Sequence, residues 1–349
     1  MSRFASVTPV AVLSISSLLT DPTLRDALAT GLDAPPTPRT ARLADFLAGA
    51  FGSATLAIIH YGSHAQRSDA RPESAHDFFV IVDGYASAYR ALAAAIHTSF
   101  NPRTAAILAH ILPPNVVAIA TPDHPPIHAK CAVLSLGDLH RAGSGRAQDH
   151  FTQGRLFQQV QLVWARDEAS RRAVMEVLLG VRARTFTWVH PALPARFTTD
   201  SYCRTMLETS FAAEIRPEGD ERLQVLLDVQ RDTLTRVYGA LLQQLVSQRI
   251  LLSNGKVYSL VRPAGWVERM RIAYYFRRSK LRATLRWLKY IALYDDWLEY
   301  IVRKIERRSG VSVTLTTRER RWPFLFLWPK VIHYLRTRPQ RRTPDASPR

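Results

Sequence analysis

The sequence predicts an α+β protein in four parts: an N-terminal extension, a mixed-sheet domain, a helical module closed by a hairpin, and a basic amphipathic C-terminal region. Three observations carry that prediction. Short apolar strands alternate with helices up to about residue 190, and helical periodicity takes over from Thr198. The charge is also unevenly placed: residues 261–349 hold 22 Lys+Arg against 7 Asp+Glu, so +15 of the formal +18 falls in the last quarter. With 349 residues and 47% apolar content the chain can bury a real core, and its length favours more than one domain. The predicted parts are an N-terminal extension (1–40), the sheet domain (41–190), a helical domain (191–275) and the basic aromatic region (276–349).

Taken in order, Met1–Leu19 has an apolar stretch, but Ser and Pro interrupt it and no small-x-small site follows, so no signal peptide is predicted. Residues 1–37 read as a poorly structured extension ending in the Pro-rich Ala34–Pro38, with Thr37 or Thr40 capping a helix over Ala41–Phe51. Ala54–His60 reads as a buried strand running into Tyr61-Gly62-Ser63, and Asp77–Asp83 as a second strand beyond a polar loop. An Ala-rich helix over Tyr85–Thr98 follows, then strands at Asn115–Ala120, Ile127–Leu136 and Phe157–Ala165. Helices are predicted over Thr198–Ile215 and Glu221–Gln248, then a hairpin, LLSNGKVYSLV, with Asn254-Gly255 as a type I′ turn. Two helices and a hairpin suggest a winged-helix-like module. Two amphipathic helical segments, Arg277–Leu293 and Asp296–Arg308, lead to the apolar aromatic stretch Trp322–Leu335.

Composition excludes several classes. Two cysteines, Cys131 and Cys203, cannot form a disulfide framework or a four-thiolate zinc site, which points to a reducing compartment. His60, His64 and His76 lack metal-ligand spacing, and His76 reads as a packing or hydrogen-bonding residue. No apolar run reaches the length of a spanning helix.

The strongest chemical signal is a strand ending in Tyr61-Gly62-Ser63, thirteen intervening residues, and Asp77 opening the next strand. Glycine lets backbone approach a triphosphate, serine adds a hydroxyl donor at a helix start, and a carboxylate on the adjacent strand can hold magnesium. This layout resembles the polymerase-β-like nucleotidyltransferases, although it equally describes a Gly-Ser turn between two buried strands. That superfamily places a second acid two residues after the first, where this chain has Phe79. Asp83 shares the strand face but stands six residues on, roughly 20 Å away at 3.3 Å per residue, and reads as the strand's end. A second metal ligand would come from Asp69 or Glu73 in the loop, from Asp123, or from the substrate's phosphates.

Together with DFFVIVD, this motif resembles the translocator-assembly-and-maintenance family of phosphatidate cytidylyltransferases. Pro113-Pro114-Asn115-Val116, His128-Ala129-Lys130-Cys131, Gly154-Arg155-Leu156 with Val160, and Glu214-Ile215-Arg216-Pro217-Glu218 resemble further family segments in the same order, over roughly residues 41–310. The resemblance implies a polymerase-β-like nucleotidyltransferase domain and transfer of CMP from CTP to phosphatidic acid, giving CDP-diacylglycerol and pyrophosphate with Mg2+. It implies that Tyr61, Gly62, Ser63, Lys130 and Arg155 bind nucleotide, that Asp77 holds the metal, and that Asp77 and Lys130 are catalytic. Arg216 is a further phosphate candidate. Cys131-Ala132 departs from the family's Tyr-Gly, which leaves nucleobase contacts there unassigned. Lys130 has separate support, being the only lysine before Lys256 in a chain with 41 Arg and 6 Lys.

The C-terminal quarter must bring such an enzyme to a lipid. Arg278, Arg282, Arg286 and Lys289 recur at helical spacing beside a second stripe, Leu281, Leu285, Leu288 and Ala292. Five of seven tryptophans fall here, Trp322 and Trp328 among them, beside clustered arginines. Arg278, Arg282, Arg286, Lys289, Trp322 and Trp328 are therefore predicted to meet an anionic membrane surface, with the protein peripheral on the cytoplasmic face of a bacterial inner membrane and no nucleic acid bound. The competing reading is a non-catalytic nucleic-acid-binding protein with a degraded nucleotidyltransferase fold, which Phe79 favours; another acceptor for nucleotidyl transfer is a third.

Overall fold

The computed structural model describes residues 15–67, 74–96, 98, 100–212, 220–293 and 316. It is α+β, with a mixed five-stranded sheet and a second three-stranded sheet. Two short helices come first, α1 (Ile15–Leu18) and α2 (Pro22–Leu28), the latter capped by Asp21, whose side chain accepts from the Thr23 and Leu24 amides. Helix α3 (Pro38–Phe51) starts on Thr37, whose hydroxyl accepts from the Thr40 amide, with Pro38 at the first helical position. Then follow β1 (Thr55–Tyr61), a single turn α4 (Ser63–Gln66), β2 (His76–Val82), α5 (Tyr85–Ala95), α6 (Pro102–Ile111), β3 (Asn115–Ala120) and β4 (His128–Ser135). Helices α7 (Leu136–Gly143) and α8 (Gln153–Leu156) precede β5 (Gln161–Ala165), α9 (Glu168–Ala183) and α10 (Thr185–Val189).

The sheet order is β3-β4-β2-β1-β5, with β2 and β4 parallel and every other pair antiparallel. Strands β1 and β2 are sheathed on both faces, which is why they read as near-continuous apolar runs. Ile59, Tyr61, Phe79, Ile81, Ala132 and Leu134 point into one core, shared with α9 and the later helices. Helices α3, α5 and α6 pack with the opposite face, where Ile58, Phe78 and Val80 are buried.

The second part consists of β6 (Arg196–Phe197), α11 (Thr199–Ala212), α12 (Asp220–Ser247), β7 (Leu251–Asn254), β8 (Val257–Leu260) and α13 (Trp266–Leu293), with sheet order β6-β8-β7. One continuous hydrophobic cluster runs from Ile15 to Tyr258, so both sheets share it. By compactness the chain divides into Met1–Leu288 and Lys289–Arg349.

Several expectations are corrected. Residues 15–33 are not an extension: Leu18, Leu24, Leu28 and Leu32 are buried in the core, and Arg182 donates to the carbonyls of Leu28 and Thr30. The hairpin turn is Gly255-Lys256, not Asn254-Gly255, because Asn254 pairs with Val257; only Gly255 has positive φ, as a type II′ turn requires. Residues 153–156 form a helical turn, and β5 starts at Gln161 rather than Phe157. Helices α6 and α9, capped by Asn101 and Asp167, are additional to those predicted. The first amphipathic segment begins earlier, at Trp266, and the second lies outside the described residues.

Candidate active site

The predicted chemistry converges on one row of the sheet. Tyr61 at the end of β1 stands opposite Asp77 at the start of β2, and Asp77 stands opposite Lys130 on β4. Paired residues share a face, and neighbouring strands lie about 4.8 Å apart, so the three side chains form a contiguous line. Gly62 comes next after Tyr61, with φ 78° and ψ −164°, a conformation open essentially to glycine alone. A Cβ placed there would lie 2.7 Å from Asp77 Oδ2. Glycine thus lets the backbone reach the carboxylate, and the Gly62 carbonyl accepts from the Ala65 and Gln66 amides to close the turn that begins at the exposed Ser63.

Burial raises the Asp77 carboxyl above its ordinary value, opposed by the neighbouring Lys130, Arg155 and His64. Burial also raises the Tyr61 phenol, whose side chain is hydrogen-bonded to Arg155. Phe79, on the strand face of Asp77, is fully buried, with its ring centroid 4.6 Å from that of Tyr61. The position of the usual second acid is therefore a core position here. Asp83 lies just past the far end of β2 and accepts from the Ser87 hydroxyl, and Asp123 is paired with Arg42. Asp69, Glu73 and the segment 214–218 with Arg216 lie outside the described residues. Among the described residues no group of three or more His, Cys, Asp or Glu could hold a metal ion.

On the opposite face of β2, His76 stacks on His64 at 3.9 Å between centroids, and its Nδ1 lies 3.3 Å from His60 Nε2. Burial lowers His60 to about 4 and His76 to about 3, so both are neutral near pH 7. This stack backs the strand that carries Asp77.

Arg155 reaches the row from α8. Its Nη1 donates to the Phe151 carbonyl at 2.8 Å and its guanidinium sits 3.9 Å from the Phe151 ring centroid. Gly154 lets α8 pack tightly: a Cβ there would lie 2.9 Å from the His150 ring and 3.0 Å from Ser210 Oγ.

The basic stripe of α13 is placed otherwise than predicted. Arg282 and Arg286 both donate to Asp149 Oδ2, at 2.7 and 2.6 Å, and Arg286 also donates to the Pro113 carbonyl. Arg278 donates to the carbonyls of Ala147 and Gln148, and Lys289 is buried. The stripe is thus turned inward, because Asp149 and nearby carbonyls offer it acceptors, and the side chains of Arg282 and Arg286 are only 17% and 10% exposed. Burial pushes the Asp149 carboxyl up, but Arg286 and Arg282 together hold it below the usual range. The neighbouring stripe faces outward instead: Val267, Met270, Tyr274, Leu281 and Leu285 are exposed, flanked by exposed Arg269, Arg271, Arg277 and Lys280. Trp322 and Trp328 lie outside the described residues.

Sequence reasoning missed Asp149 and Phe151, which carry no local motif. A groove of about 260 Å³ lies on α11 and α12, lined by Asp200, Arg204, Gln224 and Arg231 among others, and no residue of the row lines it. No helix among the described residues is long and apolar enough to cross a membrane. No protein-family model and no curated protein matches the chain.

Proposed function

We propose that this chain is a magnesium-dependent phosphatidate cytidylyltransferase, with a polymerase-β-like nucleotidyltransferase core and a winged-helix-like second part, acting at the cytoplasmic face of a bacterial membrane. One observation carries the reading: the row Tyr61, Asp77 and Lys130 across three strands, with Gly62 leaving the space against Asp77 that a side chain would fill. A carboxylate and an ammonium on adjacent strands, beside a backbone turn free of side chain, suit a metal-bound triphosphate.

In the reaction a phosphate oxygen of phosphatidic acid forms a bond to the α-phosphorus of CTP, the bond to the β-phosphate breaks, and pyrophosphate leaves. A phosphate dianion is already nucleophilic at neutral pH, so positioning and charge stabilisation dominate over proton abstraction. Gly62 and Ser63 receive the departing phosphates, Lys130 neutralises the charge that develops on them, and Arg155 holds a phosphate oxygen beside Tyr61. Asp77 fits magnesium as its one protein carboxylate in the row, since that ion keeps several waters and shares its shell with substrate phosphates. Bound there, magnesium would offset the triphosphate's negative charge.

The outward face of α13 supports the membrane partner. Its apolar stripe and basic flanks have the composition of an interfacial helix, and Glu268, the one acid in residues 266–286, accepts from or is paired with His190 at 2.8 Å. The predicted basic stripe from Arg278 to Arg286 is engaged by the protein itself and so serves neither a membrane nor a nucleic acid, which leaves the outward apolar face with its basic flanks to carry the membrane reading.

The test is incubation with phosphatidic acid, magnesium and each of the four nucleoside triphosphates, followed by lipid analysis. CDP-diacylglycerol from CTP supports the reading. No nucleotidyl lipid with any of the four, together with duplex DNA binding at physiological salt, overturns it.

A further inference from the structure

Helix α13 grips the segment that delivers Arg155. Arg278 holds the carbonyls of residues 147 and 148, Arg282 and Arg286 hold the Asp149 carboxylate, and the Ser279 hydroxyl accepts from the His150 amide at 3.0 Å. Tyr275 lies 3.3 Å from His150 Nδ1 and donates to Gln153 Oε1 at the start of α8. Each of these contacts falls within the eight residues before Arg155.

The grip ends on one aromatic ring. Arg286 sits 4.8 Å from the Phe151 centroid and Arg155 sits 3.9 Å from the same centroid, while Arg155 also donates to the Phe151 carbonyl. Arg286 has two further anchors, the Pro113 carbonyl before β3 and Asp149, so its position is fixed from three sides. A guanidinium held on a ring face within about 6 Å of the centroid is attracted to it, and the attraction grows when water is excluded.

We propose that Arg286 is a positioning residue: through Asp149 and Phe151 it fixes the guanidinium of Arg155 beside Tyr61 and Asp77, so that a helix remote in sequence sets the geometry of the phosphate-binding row. The phosphate role of Arg155 rests on the function proposed above; its placement by Arg286 does not. Arg282 shares Asp149 with Arg286, but it is the Arg286 guanidinium that lies over the Phe151 ring, which separates a clamp on Arg155 from general support of a buried carboxylate.

The experiment uses the full chain and two readouts. The first is the rate at which phenylglyoxal modifies Arg155, followed by peptide mass spectrometry. The second is calorimetric binding of magnesium tripolyphosphate. Arg286→Gln, and separately Phe151→Leu, should raise the Arg155 modification rate at least about fivefold, whereas Arg282→Gln should leave it within about twofold of the unsubstituted protein. Arg286→Gln should weaken tripolyphosphate binding about tenfold, and adding Arg155→Gln should cause no further loss, as for residues acting through one another. Phe151→Leu keeps the charges in place and carries the test should Arg286→Gln fail to fold. An unchanged Arg155 rate in the folded variants, or an equal rise in Arg282→Gln, overturns the proposal. If the unsubstituted protein does not bind tripolyphosphate, the reading of the row as a phosphate site falls, and the modification rates still decide the clamp.

Discussion

Gly62 and Asp77 meet so closely that a single methyl group on the glycine would lie 2.7 Å from the carboxylate oxygen Oδ2. Gly62→Ala therefore has two separate effects. The backbone at φ 78° and ψ −164° strains an alanine by about 1–3 kcal/mol, which should appear as a lowered Tm. The carboxylate must also move, so cytidylyl transfer should fall further than the stability loss accounts for. Equal activity in a folded Gly62→Ala protein would show that the close approach serves only the turn.

Asp77→Asn should separate stability from function. Burial raises the folded pKa of Asp77, so its protonated form is the stabilised one: that contribution is present at low pH and lost as pH rises through the folded pKa. At pH 7 the charged carboxylate is thus a cost to the fold, and the isosteric amide should raise Tm, with the difference shrinking as pH falls below the carboxylate range. Turnover should fall at least about a hundredfold, because the group that balances magnesium is gone. A lower Tm at pH 7 would contradict the electrostatic argument, and near-normal turnover would remove Asp77 from the metal site.

Much of this row was legible in sequence, and the reason is local. Gly62, Ser63 and Asp77 lie on two strands joined by one loop, where turn chemistry and apolar runs are read directly. Lys130 was signalled by the scarcity of lysine, but its pairing with Asp77 depends on parallel register across a crossover, which no local pattern encodes. The arginine stripe shows the opposite failure. Spacing of four residues defines a face of a helix but not which way it turns, and the acceptors that draw it inward, Asp149 and the carbonyls of residues 113, 147 and 148, lie far away in sequence. The N-terminal leucines were hidden similarly, since α1 and α2 are too short to show a period and precede a Pro-rich stretch.

Lys130→Arg preserves charge but replaces a compact ammonium by a planar fork. Asp77 already has Arg155 as a second positive neighbour, so another guanidinium would crowd the phosphates rather than add to the field. Activity should fall about tenfold or more, with Lys130→Ala lower still, read as kcat and KM for CTP. Full activity in Lys130→Arg would show that any cation suffices there.

Acid should unfold the protein through its histidines. His60, His76 and His150 have folded pKa values of about 4, 3 and 3, depressed by burial from 6.5. The unfolded chain therefore takes up protons that the folded chain refuses: stability is intact above pH 6.5 and is lost as pH falls from there to about 4 for His60 and about 3 for His76 and His150. Each histidine contributes a slope of up to roughly 1.4 kcal/mol per pH unit in that window. Urea unfolding at a series of pH values should show His150→Gln with a shallower slope than the unsubstituted protein. The same slope in both would place the acid sensitivity elsewhere.

The last prediction concerns the outward face of α13, where Leu281 and Met270 are 60% and 54% exposed. Because these side chains make little contact with the core, Leu281→Glu and Met270→Glu should leave Tm nearly unchanged. If the face lies on an anionic bilayer, each glutamate adds a charge to be desolvated and repelled, and flotation with phosphatidic-acid vesicles should fall together with activity on vesicle-embedded substrate. Activity on a short-chain, water-soluble phosphatidic acid should persist, since the row on β1, β2 and β4 is untouched. Binding of the unsubstituted protein should weaken as salt rises, with a salt-resistant remainder from apolar insertion. Loss of activity on both substrates would mean that the face supports the fold or the site directly, and undiminished flotation of both variants would move the membrane contact away from α13.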